Sequence, residues 1–184
     1  MIFKYIYSSF HIFSFFFCFL KKAYLYNISI NNDKKSMENL ASTINKPLLT
    51  NDVIVELFDG IYNIHDDGIN HLHLHNSLTF NGKSDTRFNF QNSEKSSLIF
   101  HFSAGSYDKK LIFNNIKFYD FDGSQYENSS LFPGGPEDRT DRYTIEFNNC
   151  EFYNIKGIVL NINIICLKRT QSTPNVIFNN CKFE

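Results

Sequence analysis

The chain has 184 residues, of which 42% are hydrophobic and 17% aromatic, and its formal net charge at pH 7 is −1. This length and apolar content are enough for one domain with a sizeable core. The near-zero charge gives the chain no overall basic surface, so the sequence does not indicate nucleic acid as a partner.

A hydrophobic leader occupies the N-terminus. Residues 5–20 are almost entirely apolar and follow a lysine, which is the pattern of a secretory signal or a signal anchor. Small residues suited to cleavage are scarce after this stretch, whereas two lysines at its end suit a membrane surface. Residues 1–35 are therefore interpreted as a signal peptide or signal anchor with a linker, and membrane contact is expected only through residues 5–20. A third interpretation is that translation starts at Met37.

A short amphipathic helix is predicted next, over residues 36–45. Ser36 stands at its N-cap, and the helix is expected to end before Pro47. Two short strands follow at residues 53–57 and 61–64, separated by an Asp-Gly turn. The sequence therefore predicts a capping helix and then a strand, a tight turn and a second strand.

This order of elements, over residues 39–62, resembles the opening of right-handed parallel β-helix proteins of the pectin lyase-like superfamily. The resemblance implies an all-β fold, a right-handed parallel β-helix or solenoid that spans residues 36–184 behind the hydrophobic leader. Further strands without intervening helices fit three strands per coil. These strands are predicted at residues 69–74, 78–80, 88–90, 98–102, 111–121, 143–155, 158–165 and 176–183.

Three histidines alternate with leucines in the third strand segment, as His71, His73 and His75. On a strand their imidazoles share one face, ~6.7 Å apart, and could present a transition-metal site if a neighbouring coil added ligands. The alternative is an exposed polar face opposite two core leucines. We expect no metal, and these three histidines are the candidates if one binds.

A six-residue block recurs three times, beginning at Phe113, Phe147 and Phe178. Repeats spaced by roughly 20 to 50 residues are typical of stacked architectures. Each block alternates apolar and polar residues around an Asn-Asn pair, which suits a tight corner because asparagine tolerates the left-handed backbone region. In stacked coils these side chains are expected to form an amide ladder. The corner residues are Asn114, Asn115, Asn148, Asn149, Asn179 and Asn180.

A long insertion, residues 122–142, contains a Pro-Gly-Gly-Pro motif and then a charged run. In the families that this fold resembles, such loops form saccharide clefts, where lyases use calcium-binding acids with a basic residue and hydrolases use paired aspartates. The resemblance makes Asp138, Arg139, Asp141 and Arg142 the candidate catalytic residues. However, neither the hydrolase signature nor the lyase arginine motif of those families is present, so we expect a solvated loop and no catalysis.

Two cysteines, Cys150 and Cys181, hold equivalent repeat positions and are expected to stack one coil apart. They either pack as buried free thiols or form a disulfide, since stacked backbones lie within bridging range. Two N-glycosylation sequons, at Asn27 and Asn128, are compatible with secretion.

The chain ends at Glu184 inside a repeat, with no polar cap after it. Stacked proteins need caps over their open strand edges. We therefore expect a β-helix that is incomplete at its C-terminus and able to self-associate through that edge.

The function expected from the sequence is that of a secreted or cell-surface β-helix with a structural, adhesive or glycan-binding role. Its expected partners are glycans or cell-surface proteins, and no cofactor is expected. One alternative is a divergent polysaccharide lyase or glycoside hydrolase, and another is a non-functional fragment of a longer protein. The alternative location is a membrane, with a single span at residues 5–20.

Overall fold

The computed structural model describes residues 24–64, 70–93, 95–125, 127–164 and 172–184. These residues form fifteen strands and two helices, and the strands wind into a parallel solenoid of about five turns. The predicted all-β solenoid with an N-terminal helix is thus confirmed, whereas its right-handed sense stays a prediction. The hydrophobic leader at residues 5–20 lies outside the described residues.

Three parallel sheets form the walls of the solenoid. Sheet A contains β1 (Leu25–Ile30), β2 (Asp52–Leu57), β5 (Leu78–Asn81), β8 (Lys109–Asn114), β11 (Tyr143–Asn148) and β14 (Val176–Asn179). Sheet B contains β3 (Gly60–Asn63), β6 (Thr86–Asn89), β9 (Lys117–Asp122), β12 (Glu151–Lys156) and β15 (Lys182–Phe183). Sheet C contains β4 (His71–Leu74), β7 (Ile99–Phe102), β10 (Ser130–Pro136) and β13 (Ile158–Ile162).

From β2 onward the chain visits sheets A, B and C in turn, so each coil contributes one strand to each sheet. Strands of successive coils pair in parallel and in register, with Phe80 beside Phe113 and Phe113 beside Phe147. Because side chains alternate across a strand, every second residue points into the solenoid and stacks on its equivalent in the next coil.

The interior is dominated by stacked phenylalanines. In sheet A the rings of Phe80, Phe113, Phe147 and Phe178 form a column with centroids 5.1, 5.1 and 4.9 Å apart and interplanar angles below 10°. Edge-to-face contacts join this column to sheet B, for example between Phe113 and Phe118 at 5.5 Å. Aromatic pairs add about 0.5–1.5 kcal/mol beyond area burial, so the repeated phenylalanines stabilise the coil register.

The N-terminal helix differs from its prediction at both ends. It consists of α1 (Lys34–Glu38) and α2 (Leu40–Leu48), and the side chain of Asp33 caps α1 by accepting from the Ser36 amide at 3.0 Å. The predicted cap at Ser36 was therefore wrong. The predicted stop before Pro47 was wrong as well, because the proline occupies the last turn and the buried Leu48 extends the apolar face of α2.

Helix α2 covers the first coil, where it packs against β1, β2 and β4. Its apolar face is buried, and its polar Asn45 reaches the free edge of β4. There the Asn45 amide donates to the His71 carbonyl at 2.8 Å and accepts from the His73 amide at 2.9 Å. Asn45 therefore replaces the missing neighbour strand at this edge.

Strand β1 was not predicted, since residues 1–35 were assigned to the leader and linker. It pairs in parallel with β2 over its whole length, from Leu25 beside Asp52 to Ile30 beside Leu57. The hydroxyl of the buried Tyr62 donates to the Ile30 carbonyl at 3.2 Å and so joins β1 to the first coil.

Candidate functional site

A groove of about 350 Å³ lies on the outer face of sheet C. Its floor is the Pro-Gly-Gly-Pro motif, which was predicted to be a loop but forms the strand β10 between β7 and β13. The prediction failed because proline and glycine are typical of turns. The two glycines allow a close backbone approach here, and Gly135, the register partner of the outward-facing His101, leaves its position on the outer sheet surface without a side chain.

The neighbouring strands leave no room for larger residues at either glycine. A Cβ atom on Gly134 would lie 1.9 Å from the Phe100 carbonyl oxygen, and one on Gly135 would lie 2.7 Å from the Asn163 carbonyl oxygen. The first approach comes from the preceding coil and the second from the next one. The motif is therefore required by the packing of the strands, and the groove is its consequence on the outer surface.

The walls of the groove combine apolar and polar groups. Ring and aliphatic carbons line one part, while amide, carboxylate and imidazole groups supply hydrogen-bond donors and acceptors. The lining side chains are those of Ile99, His101, Pro133, Pro136, Glu137, Asn161 and Asn163. A groove of this size and mixed chemistry is within the range of natural small-molecule sites.

Three imidazoles stack beside the groove. The centroid of the His101 ring lies 5.7 Å from that of His71 and 5.5 Å from that of His73, with interplanar angles of 18° and 26°. Burial and the nearby His73 and His71 lower the pKa of His101, and Glu137 acts in the opposite direction. The His101 ring is consequently neutral at pH 7.

The predicted histidine triplet is divided between two places. His71 and His73 stack with His101, whereas His75 lines a separate depression together with Tyr107 and Lys109. Within the part of the chain that the structure describes, no group of three or more His, Cys, Asp or Glu side chains is placed so that it could hold a metal ion.

The charged loop that follows β10 packs onto the loop that follows β7. Glu137 accepts from the Ala104 amide at 3.1 Å, and Asp138 accepts from the Gly105 amide. The guanidinium of Arg142 pairs with Asp108 and lies 4.9 Å from the centroid of the Tyr107 ring. The ion pair lowers the pKa of Asp108 and raises that of Arg142, chiefly through the hydrogen bond between them.

These contacts define the position of the candidate catalytic residues. Asp138 and Arg142 face the preceding loop, and Asp141 is buried, with 5% of its surface exposed. Arg139 is exposed on the same loop. The arrangement holds the two loops together. The residues that make these contacts are of the types that the resemblance made candidates for catalysis.

The six corner asparagines lie in two stacked rows between sheets A and B. In the first row, the amide of Asn114 donates to Asn81 at 2.8 Å, Asn148 donates to Asn114 at 2.9 Å, and Asn179 donates to Asn148 at 2.7 Å. In the second row, Asn149 donates to Asn115 at 3.2 Å and Asn180 to Asn149 at 2.8 Å. All three second-row residues have left-handed backbones, with φ between 51° and 57°.

The first row also includes one residue that the sequence analysis did not assign to it. Asn81 extends the first row by one coil, and its amide donates to Glu56 at 3.0 Å. A further pair lies within sheet B, where Asn154 of β12 donates to Asp120 of β9 at 2.6 Å and both have positive φ angles. Side-chain bonds between coils therefore occur outside the asparagine rows as well.

Both repeat cysteines are free thiols. Cys150 is fully buried and Cys181 is partly buried, and their sulfur atoms lie 3.5 and 3.2 Å from the carbonyl oxygens of Phe113 and Phe147. Burial raises the pKa of the Cys150 thiol to about 12. Of the two interpretations, the structure contains the packed thiols.

Both sequon asparagines are exposed: Asn27 lies on β1, and Asn128 precedes β10. Glycosylation acceptors need this exposure. Among the described residues, no helix combines the length and apolarity needed to cross a membrane.

No protein-family model, curated protein or solved structure matches the chain. Neither the groove nor the histidine stack was predicted, because both depend on which residues of successive coils lie side by side. His101 had a recognisable signal, since it points outward from a predicted strand one coil after His73. Gly134 and Gly135 had no such sequence signal, because their motif is more typical of a loop than of a strand.

Proposed function

We propose that the protein is a non-catalytic, secreted or cell-surface β-solenoid that binds glycans in the groove on sheet C. The observation that carries this proposal is the Gly134–Gly135 floor, which leaves an open trough along the coil face. A trough whose floor lacks a side chain at Gly135 suits a flat, extended ligand such as an oligosaccharide.

The lining of the groove supports a carbohydrate ligand. Asn161 and Asn163 offer amide donors and acceptors for hydroxyl groups, while Ile99 and Pro133 offer apolar surface to the C–H faces of a sugar ring. Both charge signs are sparse in the groove, so a neutral or weakly charged glycan fits it better than a polyanion.

We place the chain, on this proposal, as a distant non-catalytic member of the pectin lyase-like superfamily. Three features support the placement: coils of three strands that form three parallel sheets, asparagine ladders at the corners and a capping helix at the first coil. The enzyme alternative is less well supported, because Asp138 and Arg142 hold neighbouring loops together.

A glycan array probed with the full chain tests the proposal. We expect binding to at least one oligosaccharide class, and the double variant Asn161→Ala/Asn163→Ala should weaken it by about tenfold, because each lost hydrogen bond contributes about 0.5–1.5 kcal/mol. Asn63→Ala changes an exposed asparagine on β3 of sheet B, outside any sequon; it is the matched control and should bind like the parent chain.

Binding that the double variant leaves unchanged would place the glycan elsewhere. Release of reducing sugars from any polysaccharide, lost in a folded Asp138→Ala variant, would favour the enzyme instead.

A further inference from the structure

Three histidine side chains meet on two adjacent strands of sheet C. His71 and His73 alternate on β4, and His101 is the direct register partner of His73 on β7. Register partners in a parallel sheet are ~4.8 Å apart, and alternate residues on a strand are ~6.7 Å apart. The three imidazoles therefore belong to one patch, in which the His101 ring centroid lies 5.7 Å from that of His71 and 5.5 Å from that of His73.

The backbone beneath this patch is held in place. Asn45 of α2 bonds both the His71 carbonyl and the His73 amide, at 2.8 and 2.9 Å. The other edge of β4 is paired with β7. The backbone of β4 is therefore held on both sides, so the sheet sets the spacing of the three histidines.

The three side chains lie on an accessible face. His73 is exposed, and His71 and His101 are half-buried on the outer face. Next to His101 the strand β10 contributes Gly135, which has no side chain to obstruct the rings. Open space therefore lies directly above the cluster, on the side of the groove.

We propose that His71, His73 and His101 bind one Zn²⁺ ion on the outer face of sheet C. The rings turn out of their stack so that one nitrogen of each meets the ion at about 2.0–2.1 Å. Imidazole is a preferred ligand of zinc and related transition metals. Three histidines leave a fourth coordination position, which is open towards the groove.

The stacked rings are consistent with this site although they do not form it. In the stack the rings lie face to face, and no group of three such side chains among the described residues is placed to hold a metal ion, so the site requires the rings to turn out of the stack. The proposal does not depend on glycan binding, because it uses different side chains except at the His101 boundary.

Isothermal calorimetry of the full chain with ZnCl₂ tests the site, on protein from which any purification tag has been cleaved. We expect one ion per chain and loss of binding by at least about 100-fold in His101→Ala and in His73→Ala, since even indirect ligand contacts change metal affinity by 10–100-fold. His75→Ala is the matched control, because His75 lies in a separate depression, and it should bind like the parent.

Two further measurements separate the site from folding effects. Far-UV circular dichroism should be unchanged in His101→Gln, which keeps the size and polarity of the side chain, while its zinc binding is lost. Addition of Zn²⁺ should raise the Tm of the parent and of His75→Ala, but not that of His101→Gln. Equal zinc affinity in the parent and the folded His101→Gln variant would overturn the proposal, and so would no binding by the parent.

Discussion

Gly134 shows how one missing methyl group determines the approach of two strands. A Cβ atom there would lie 1.9 Å from the Phe100 carbonyl oxygen, far inside any real contact. The contact atom belongs to the backbone of β7 and cannot move without its sheet.

The variant Gly134→Ala should therefore destabilise the protein by about 2–3 kcal/mol through overpacking, measured by urea unfolding. Gly105→Ala is the control, because its Cβ would meet nothing within 4 Å although its φ is +77°. It should cost about 1–2 kcal/mol from backbone strain alone. Equal losses in the two variants would contradict the close-approach explanation.

Cys150 is predicted to be chemically inert in the folded protein. Burial raises its pKa to about 12, so the neutral thiol is retained well above pH 8, and the thiolate is the reactive form. We expect iodoacetamide at pH 8 or 9 to modify the partly exposed Cys181 first and Cys150 only in denaturant, as read by peptide mass spectrometry. Rapid labelling of Cys150 in folded protein would disprove this.

Single residues were predictable where their chemistry has one common use. Asparagine at a repeated corner has few roles besides a left-handed turn with an amide ladder. By contrast, His101 and Gly134 depend on which residue lies beside them in the next coil. That neighbour is set by the pairing register between coils, which the local sequence does not reveal.

Corner ladders connect strands of four successive coils. Asn148 lies in the middle of its row, where it donates to Asn114 at 2.9 Å and accepts from Asn179 at 2.7 Å. It is half-buried, so water replaces these bonds incompletely.

Asn148→Ala should lower the free energy of unfolding by about 1–3 kcal/mol, because two hydrogen bonds are lost and two partners are left partly unsatisfied. Chemical denaturation measures this change. Asn63→Ala, on the exposed face of β3, should change stability by less than about 0.5 kcal/mol. A loss of the same size in both variants would argue that the ladder contributes nothing specific.

Element boundaries were less predictable than element types. The strands of the repeats follow from period-2 alternation, which three copies reinforce. The helix ends do not follow from this alternation, because Asp33 acts as a cap and Leu48 makes a buried contact. Strand β10 does not follow from it either, because Pro-Gly-Gly-Pro is extended only where β7 and β13 enclose it.

At the level of the whole molecule, the fold was predictable because it repeats. One coil carries little information, but three equivalent blocks require that equivalent residues stack. The groove was not predictable, since it arises between coils from a motif that occurs once.

The whole chain is expected to carry N-linked glycans when it is made in a secretory host. Asn27 and Asn128 are exposed on separate parts of the surface, so an oligosaccharyl transferase can reach both. Deglycosylation should lower the apparent mass in two steps, and Asn27→Gln and Asn128→Gln should each remove one. Asn161 lies outside any sequon, so Asn161→Gln should leave the apparent mass shift unchanged. A chain without glycans would argue against secretion.

Coil-by-coil stacking also fixes the order in which the chain can fold. Ladder partners lie 33, 34 and 31 residues apart, so each pairing closes a loop of nearly constant size and entropy cost. Such non-local pairing makes refolding from denaturant slow. During translation, however, each finished coil is a template for the next. Coils are then added in the direction of synthesis, and each exposed strand edge stays unpaired only until about 30 further residues have left the ribosome.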